Sequence, residues 1–239
     1  MVEMANEIIV GMGQIGKALR EIIGPCMVYD VAKKNEVDSS TPVDVMHVAF
    51  PHDKDFETEV KQYKERWNPR LTIIYSTVPI GTTERLQPGV VHSPIEGKHP
   101  DLEKSIRIMP RWIGSSDRDA RERAVAYWYA KVLGGVRTVE SADHTEFLKL
   151  RSTAKYGVNI AWADYEKSVA DKIKMKYALI KRFDMDYNFL YEKLGMIQYQ
   201  RYILDPPKGK IGGHCVVSNA DILDEQYPND MLKEIRKMG

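Results

Sequence analysis

Glu7-Ile8-Ile9-Val10-Gly11-Met12-Gly13-Gln14-Ile15-Gly16-Lys17-Ala18-Leu19 is the stretch whose reading decides the fold. Ile8, Ile9 and Val10 form a short apolar run that reads as a buried strand. The run breaks into glycines at 11, 13 and 16, then resumes with Ala18, Leu19, Ile22 and Ile23 on one face of a helix. A G-x-G-x-x-G turn of this kind brings bare backbone to a helix N-terminus, where unpaired N–H groups and the helix dipole favour a pyrophosphate. Gly11, Met12, Gly13, Gln14, Ile15 and Gly16 are therefore the candidate phosphate-binding residues.

The next apolar run, Cys26-Met27-Val28-Tyr29, closes on Asp30. A carboxylate about twenty residues past the first glycine can accept both ribose hydroxyls of NAD and would repel a 2′-phosphate. Lys33 and Lys34 follow, so NADP is disfavoured without being excluded. The alternative is a glycine turn in a flavodoxin-like domain, with Asp30 simply solvated.

Working outward, Val43 to Pro51 reads as a third buried strand, with Ala49, Phe50 and Pro51 at the carboxyl end, where open α/β sheets bind ligands. His47 within it is expected to be a satisfied core histidine. Phe56, Val60, Tyr63 and Trp67 recur at helical spacing over 53–67. Arg70 to Tyr75 is the next strand. It runs into Ser76-Thr77-Val78-Pro79-Ile80-Gly81-Thr82-Thr83, whose hydroxyls suit a cofactor or substrate at Ser76 and Thr77, or helix capping at Thr82 or Thr83. A short strand and loop are expected at 90–97 and further strands at 108–114 and 136–139, with a helix over 117–132. The alternation predicts an α/β fold with a doubly wound, parallel, Rossmann-type sheet over 1–139 that binds NAD.

Beyond 140 the strand signal ends. Residues 142–183 suggest a long helix, apolar on more than one side, and 186–194 a second. A helix of ~30 residues spans about 45 Å, more than one small domain covers, so a homodimer through 142–183 is expected. Residues 140–239 thus read as a helical dimerisation and substrate domain. It ends in a glycine-rich loop, 205–215, and a charged helix or tail over 220–238.

Composition bounds the function. Across 239 residues, 35 Lys and Arg oppose 34 Asp and Glu for a net charge of +1, with no basic excess for nucleic acid or membrane. No apolar run approaches a membrane span, and Met1 leads toward the first strand without a signal-peptide pattern. Two cysteines, Cys26 and Cys215, suggest no disulfide framework, and the six histidines lack partners at metal spacing. The expectation is a cytoplasmic protein without a metal.

Cys215 follows two glycines, beside His214 and near Lys208 and Lys210, and nearby cations favour a nucleophilic thiolate. An ordinary, partly buried cysteine is the alternative. Lys149 and Thr153 share a face of the long helix, where Lys149 is a reactive cation or a snorkelling side chain.

These pieces, GMGQIG (11–16), DVMHVAFP (44–51), STVPIGTT (76–83), HSPIE (92–96), KLRSTAKYGVNIA (149–161) and GGHC (212–215), resemble in order and spacing the nucleotide-sugar dehydrogenases of the UDP-glucose/GDP-mannose dehydrogenase family. The resemblance implies NAD-dependent oxidation of a sugar primary alcohol to a carboxylate in two hydride transfers. It further implies that Cys215 captures the aldehyde as a thiohemiacetal, Lys149 stabilises the oxyanion, Thr77 positions a water, and Glu96 stands near the family's acid. The sequence departs from that pattern at Thr153, where the family has Asn, at Asn219, where it has Asp, and at Ile95, which separates Pro94 from Glu96. The expected protein is a shortened member, ending at Gly239 without the family's C-terminal nucleotide-sugar-binding domain. A regulatory NAD-binding relative without turnover and a β-hydroxyacid dehydrogenase relative using the lysine alone are the alternatives.

Overall fold

The computed structural model describes residues 6–30, 37, 41–97, 100–211 and 214–239, the side chain of His214 excepted. Lys33, Lys34, Gly212 and Gly213 lie outside the described residues. The chain divides into two compact units, 1–149 and 150–239.

The first unit is a seven-stranded sheet. Its strands are β1 (Glu7–Val10), β2 (Met27–Tyr29), β3 (Val45–Val48), β4 (Leu71–Ile74), β5 (Val90–His92), β6 (Arg111–Gly114) and β7 (Val136–Val139), in the order β2-β1-β3-β4-β5-β6-β7. Helices α1 (Gln14–Ile23), α2 (Phe56–Trp67), α3 (Leu102–Ile108) and α4 (Arg118–Tyr129) intervene, and α5 (Ala142–Lys172) begins after β7. Strand pleating sends alternate side chains to opposite faces. Ile9, Ile73 and Val91 accordingly pack with Leu19, Ile106, Ala124 and Trp128 on one face. Ile8, Val10, Met46, Val48 and Ile74 pack with Phe56, Val60, Tyr63 and Trp67 on the other. Burial on both faces is why these strands read as continuous apolar runs.

Two expectations are corrected here. Residues 108–110 are not strand, because Leu102–Ile108 is a helix and only 111–114 pairs in the sheet. The sheet is also not parallel throughout: β5 and β6 run antiparallel at His92 and Gly114, and every other pair is parallel. A strand joined to its neighbour without a full crossover runs the other way.

His47 is a core histidine with its polar atoms matched. Its Nδ1 lies 2.8 Å from the Tyr75 hydroxyl and its Nε2 lies 3.2 Å from Glu7 Oε2. Tyr127, expected to face inward, donates its hydroxyl to the same Glu7 carboxylate at 2.5 Å. Burial holds the His47 pKa below its usual value, so the ring is neutral.

The second unit contains the rest of α5, then α6 (Tyr177–Lys193), α7 (His214–Gln226) and α8 (Asp230–Lys237). The long helix stops at Lys172 rather than near 183. Lys174 takes a left-handed φ of 57°, and Met175 N closes back on Ala170 O at 2.8 Å. That is a helix stop made without the usual glycine. The second helix therefore starts at Tyr177, earlier than 186. Cys215 sits in the first turn of α7 rather than in a loop, and the terminal segment is two helices, the second capped by Asn229 accepting from Met231 N at 3.0 Å. At Gly157 a Cβ would come within 2.8 Å of Val216 and 2.9 Å of Ile235, so α5 meets α7 and α8 closely there.

Candidate active site at the carboxyl edge of the sheet

The chain steps from β1 to β2 on one side and returns past β1 to β3 on the other. That reversal opens a crevice beyond the carboxyl ends of β1 and β3. The three glycines of the first turn have separate duties there. Gly11, at φ 98°, is so close to β3 that a Cβ would lie 2.8 Å from Ala49 C and Phe50 N. Gly16 carries α1 against the strand end, and a Cβ on it would stand 2.0 Å from Gly11 O. Gly13 differs: a Cβ there would meet nothing within 4 Å. It is the N-cap of α1, with no side-chain cap and no acid in the first turn. Met12 and Ile15 pack their side chains against the core, whereas Gln14 is exposed. Asp30, at the end of β2, accepts from Met12 N at 3.1 Å and so brings its carboxylate to the glycine turn.

The opposite rim comes from β3 and β4. Ala49 is buried, Pro51 is exposed, and the Phe50 ring lies 4.9 Å from that of Phe56. Ser76 is buried and donates its hydroxyl to Phe50 O at 2.5 Å, tying the ends of β3 and β4 together. Thr77 follows, half-buried. Neither Thr82 nor Thr83 caps a helix through its side chain: the Thr82 hydroxyl donates to Pro79 O at 2.7 Å, and Thr83 precedes the 3-10 turn Glu84–Leu86 without a side-chain cap bond.

Next along the edge is the HSPIE loop. Lys149 Nζ donates to Ile95 O at 2.6 Å and lies 3.4 Å from Glu96 Oε1. Two of the expected catalytic residues are thereby brought together, and the additional residue Ile95 supplies the carbonyl that holds the lysine. Both contacts are made by the Lys149 ammonium, which turns toward the loop. Arg111, only 2% exposed, fixes this loop: its Nη2 donates to Ser93 O at 2.7 Å, Ser93 Oγ at 2.8 Å and Pro94 O at 2.8 Å. Burial brings its pKa down to about 10, which leaves it charged at neutral pH. His92 is fully buried, and burial lowers its pKa to about 3. Neutral His92 donates from Nε2 to Ser76 O at 3.2 Å and accepts at Nδ1 from the Thr145 hydroxyl at 2.9 Å. Arg111 and Thr145 were not singled out in the sequence. An arginine among apolar strand residues, and a hydroxyl one turn before Lys149, were the available signals.

In the second unit Cys215 is an exposed free thiol. One turn later on α7, Asn219 is 4% exposed and donates from Nδ2 to Thr153 Oγ1 at 2.9 Å. Two of the three positions at which the sequence departs from the pattern it resembles are therefore hydrogen-bonded to each other. An amide at 219 holds the helix pair but cannot take a proton. Among the described residues no cluster of His, Cys, Asp and Glu is arranged for a metal ion, and no helix is long and apolar enough to cross a membrane.

The fold is that of a Rossmann-type α/β protein followed by a helical unit, and the resemblance read from the motifs recurs at this level. A UDP-D-ManNAc dehydrogenase from Pyrococcus horikoshii superposes with a TM-score of 0.78 at 19% identity, over 97% of this chain and 68% of that one. The UDP-N-acetyl-mannosamine dehydrogenase of Staphylococcus aureus gives 0.72 at 16%, over 98% and 67%. The 3-hydroxyisobutyrate dehydrogenase of Mycobacterium tuberculosis gives 0.69 at 12%, over 98% of this chain and 92% of that one. The chain thus spans about two thirds of the length of the sugar-nucleotide enzymes and nearly all of the hydroxyacid enzyme. No protein-family model matches the sequence, and no curated relative does.

Proposed function

We propose that the chain is an NAD-dependent dehydrogenase acting on the alcohol or aldehyde of a sugar-like or small polar substrate. The observation that carries this reading is the division of labour in the glycine turn. Gly11 and Gly16 are filled by packing, while Gly13 lies bare at an uncapped helix N-terminus, with Asp30 hydrogen-bonded to the same turn. Those residues fit a dinucleotide: the amides after Gly13 for the pyrophosphate, and the Asp30 carboxylate for the ribose hydroxyls. When bound, NAD supplies the hydride acceptor. Ser76 and Thr77 line the edge next to it.

Lys149, held by Ile95 O and Glu96, is the cation that would stabilise a developing alkoxide. Cys215 is proposed as the nucleophile whose thiolate adds to an aldehyde carbon to give a thiohemiacetal, the thiol proton passing to solvent and the former carbonyl oxygen taking one up from it. With Asn219 and Thr153 in place of an acid–amide pair, no carboxylate on that turn of α7 activates water. Release of a thioester would be slow, and the reaction is expected to stop at the aldehyde or to run as a reduction.

The length match to the hydroxyacid enzyme favours a second reading, in which Lys149 alone serves a small hydroxy acid and Cys215 is not needed. A third has NAD bound without turnover. NADH absorbance measured with UDP-sugars and their aldehydes and with 3-hydroxy acids, before and after alkylation of Cys215, separates them. NADH formation from the aldehyde of a sugar nucleotide, lost on alkylation, is the expected result. Turnover of a hydroxy acid that survives alkylation supports the second reading, and NAD binding without NADH supports the third. No binding of NAD would end all three.

The second unit supports a homodimer. Helix α6 buries no residue, and Trp162, Tyr165, Phe183, Phe189 and Leu190 stand exposed along α5 and α6. Sedimentation velocity is expected to give twice the chain mass, and a monomer at micromolar concentration would refute the proposal.

A further inference from the structure

The segment that carries Ser76 and Thr77 is fastened to the lysine-bearing helix by two glutamates, each of which caps the other's element. Glu84, in the 3-10 turn, accepts from Ala142 N at the start of α5 at 2.9 Å and from Ser116 N at 3.0 Å. Glu146, one turn into α5, accepts in return from Gly81 N at 2.6 Å through Oε2 and from Thr83 N at 2.8 Å through Oε1. Glu146 is fully buried. Its neighbours on the same helix, Thr145 and Lys149, reach His92 and the Ile95 carbonyl. The first two turns of α5 therefore hold both loops at the carboxyl edge of the sheet, and Glu146 is the residue of α5 that holds the 81–83 end of the one with Thr77.

We propose that Glu146 is a positioning residue for the dehydrogenase reaction proposed above: ionised, its carboxylate fixes the 76–83 segment at the cofactor edge, and protonated, it lets that segment go. The inference rests on that functional reading for its consequence, but not for the clamp itself. A carboxylate accepts through both oxygens. Once protonated it keeps one good acceptor for two backbone N–H groups, so at least one of Gly81 and Thr83 loses its bond.

The surroundings place this change near neutral pH. Burial raises the Glu146 pKa to about 7, with the Asp143 carboxylate on the same helix adding to the rise, while the bonds from Thr83 and Gly81 oppose it. Arg85 is the cation facing it from the 3-10 turn, and its guanidinium is already bonded to Glu57 at 2.7 Å. Glu84 is occupied with Ala142 and Ser116. The sign separates positioning from mere stability. A carboxyl whose pKa is raised on folding binds more protons in the folded state between its ordinary value and about 7, so global stability from this group rises as pH falls through that window. Anchorage of the loop falls over the same window.

The test measures NAD affinity by calorimetry from pH 5.5 to 8.5 in the full chain and in Glu146→Gln, with hydrogen exchange of the Gly81 and Thr83 amides in the cofactor-free protein. Protection of those two amides, corrected for intrinsic exchange, is expected to rise by about tenfold as pH passes through about 7, as for a regained charge-assisted bond. NAD affinity is expected to tighten several-fold over the same range in the native chain and to stay flat in Glu146→Gln. Protection that does not change with pH, or a Glu146→Gln variant that keeps the native profile, overturns the proposal. If NAD fails to bind at every pH, the dinucleotide reading falls, and the protection factors still decide whether the clamp titrates.

Discussion

Gly16→Ala is expected to destabilise the first unit by about 3 kcal/mol, at the upper end of what overpacking costs. The methyl group would arrive 2.0 Å from Gly11 O and 3.0 Å from Gly11 C, both backbone atoms, so no side chain can swing away to admit it. The alternative is for α1 to lift off β1. That would loosen Ala18 and Leu19, which are 6% and 0% exposed and belong to the core face shared with Ile73 and Trp128. Against a total stability of about 5–15 kcal/mol for a domain, this is a large loss. The urea midpoint measures it, and a variant as stable as the native chain would show that helix and strand do not approach as described.

Cys215→Ser is expected to lower single-turnover NADH formation from an aldehyde, the step that passes through the thiohemiacetal, by roughly three orders of magnitude, as loss of an essential nucleophile does. A serine hydroxyl is a far weaker nucleophile than a thiolate. Stability should move by no more than about 0.5 kcal/mol, because the side chain is exposed. NAD affinity should be unchanged, since the glycine turn lies in the other unit. Lys149→Met is expected to cost roughly 10²–10³ in kcat, the range for removing one group that stabilises developing negative charge. It would also free the Ile95 carbonyl and Glu96. Single-turnover NADH formation from the aldehyde by Cys215→Ser at the native rate would remove the covalent step and leave the hydroxyacid reading.

Much of the site could be read from sequence because its signals are local. An apolar run, three glycines and an acid at a set distance are all encoded within one strand–turn–helix–strand unit. Gly11 and Gly16 owe their identity to backbone contacts that any side chain would violate, so the spacing itself carries the geometry. Other features are not local. Helix α3 has seven residues and buries only Leu102 and Ile106, too few to establish a period. The direction of β6 depends on how the chain returns to the sheet after β5, which composition does not encode. The end of α5 was hidden because Lys174 adopts the conformation usually taken by glycine. Glu146 looks like an ordinary surface charge in a sequence, and Arg111 is set apart from one only by its apolar strand neighbours. They are buried because the carbonyls of 93–94 and the amides of 81 and 83 need partners, and those lie 17 to 65 residues away in the chain. The departures at Thr153 and Asn219 were visible singly. Their hydrogen bond to each other was not.

The most direct test of a dinucleotide on the first turn is the NAD affinity of Gly13→Ala, by calorimetry, beside the native chain. A Cβ at Gly13 touches nothing, so the variant should keep its fold, with a loss of at most about 1 kcal/mol from the poorer N-cap. The added methyl group would stand where the pyrophosphate must approach, and NAD binding should fall by at least about tenfold, the equivalent of 1.4 kcal/mol. Equal NAD affinity in the folded variant and the native chain would contradict the account.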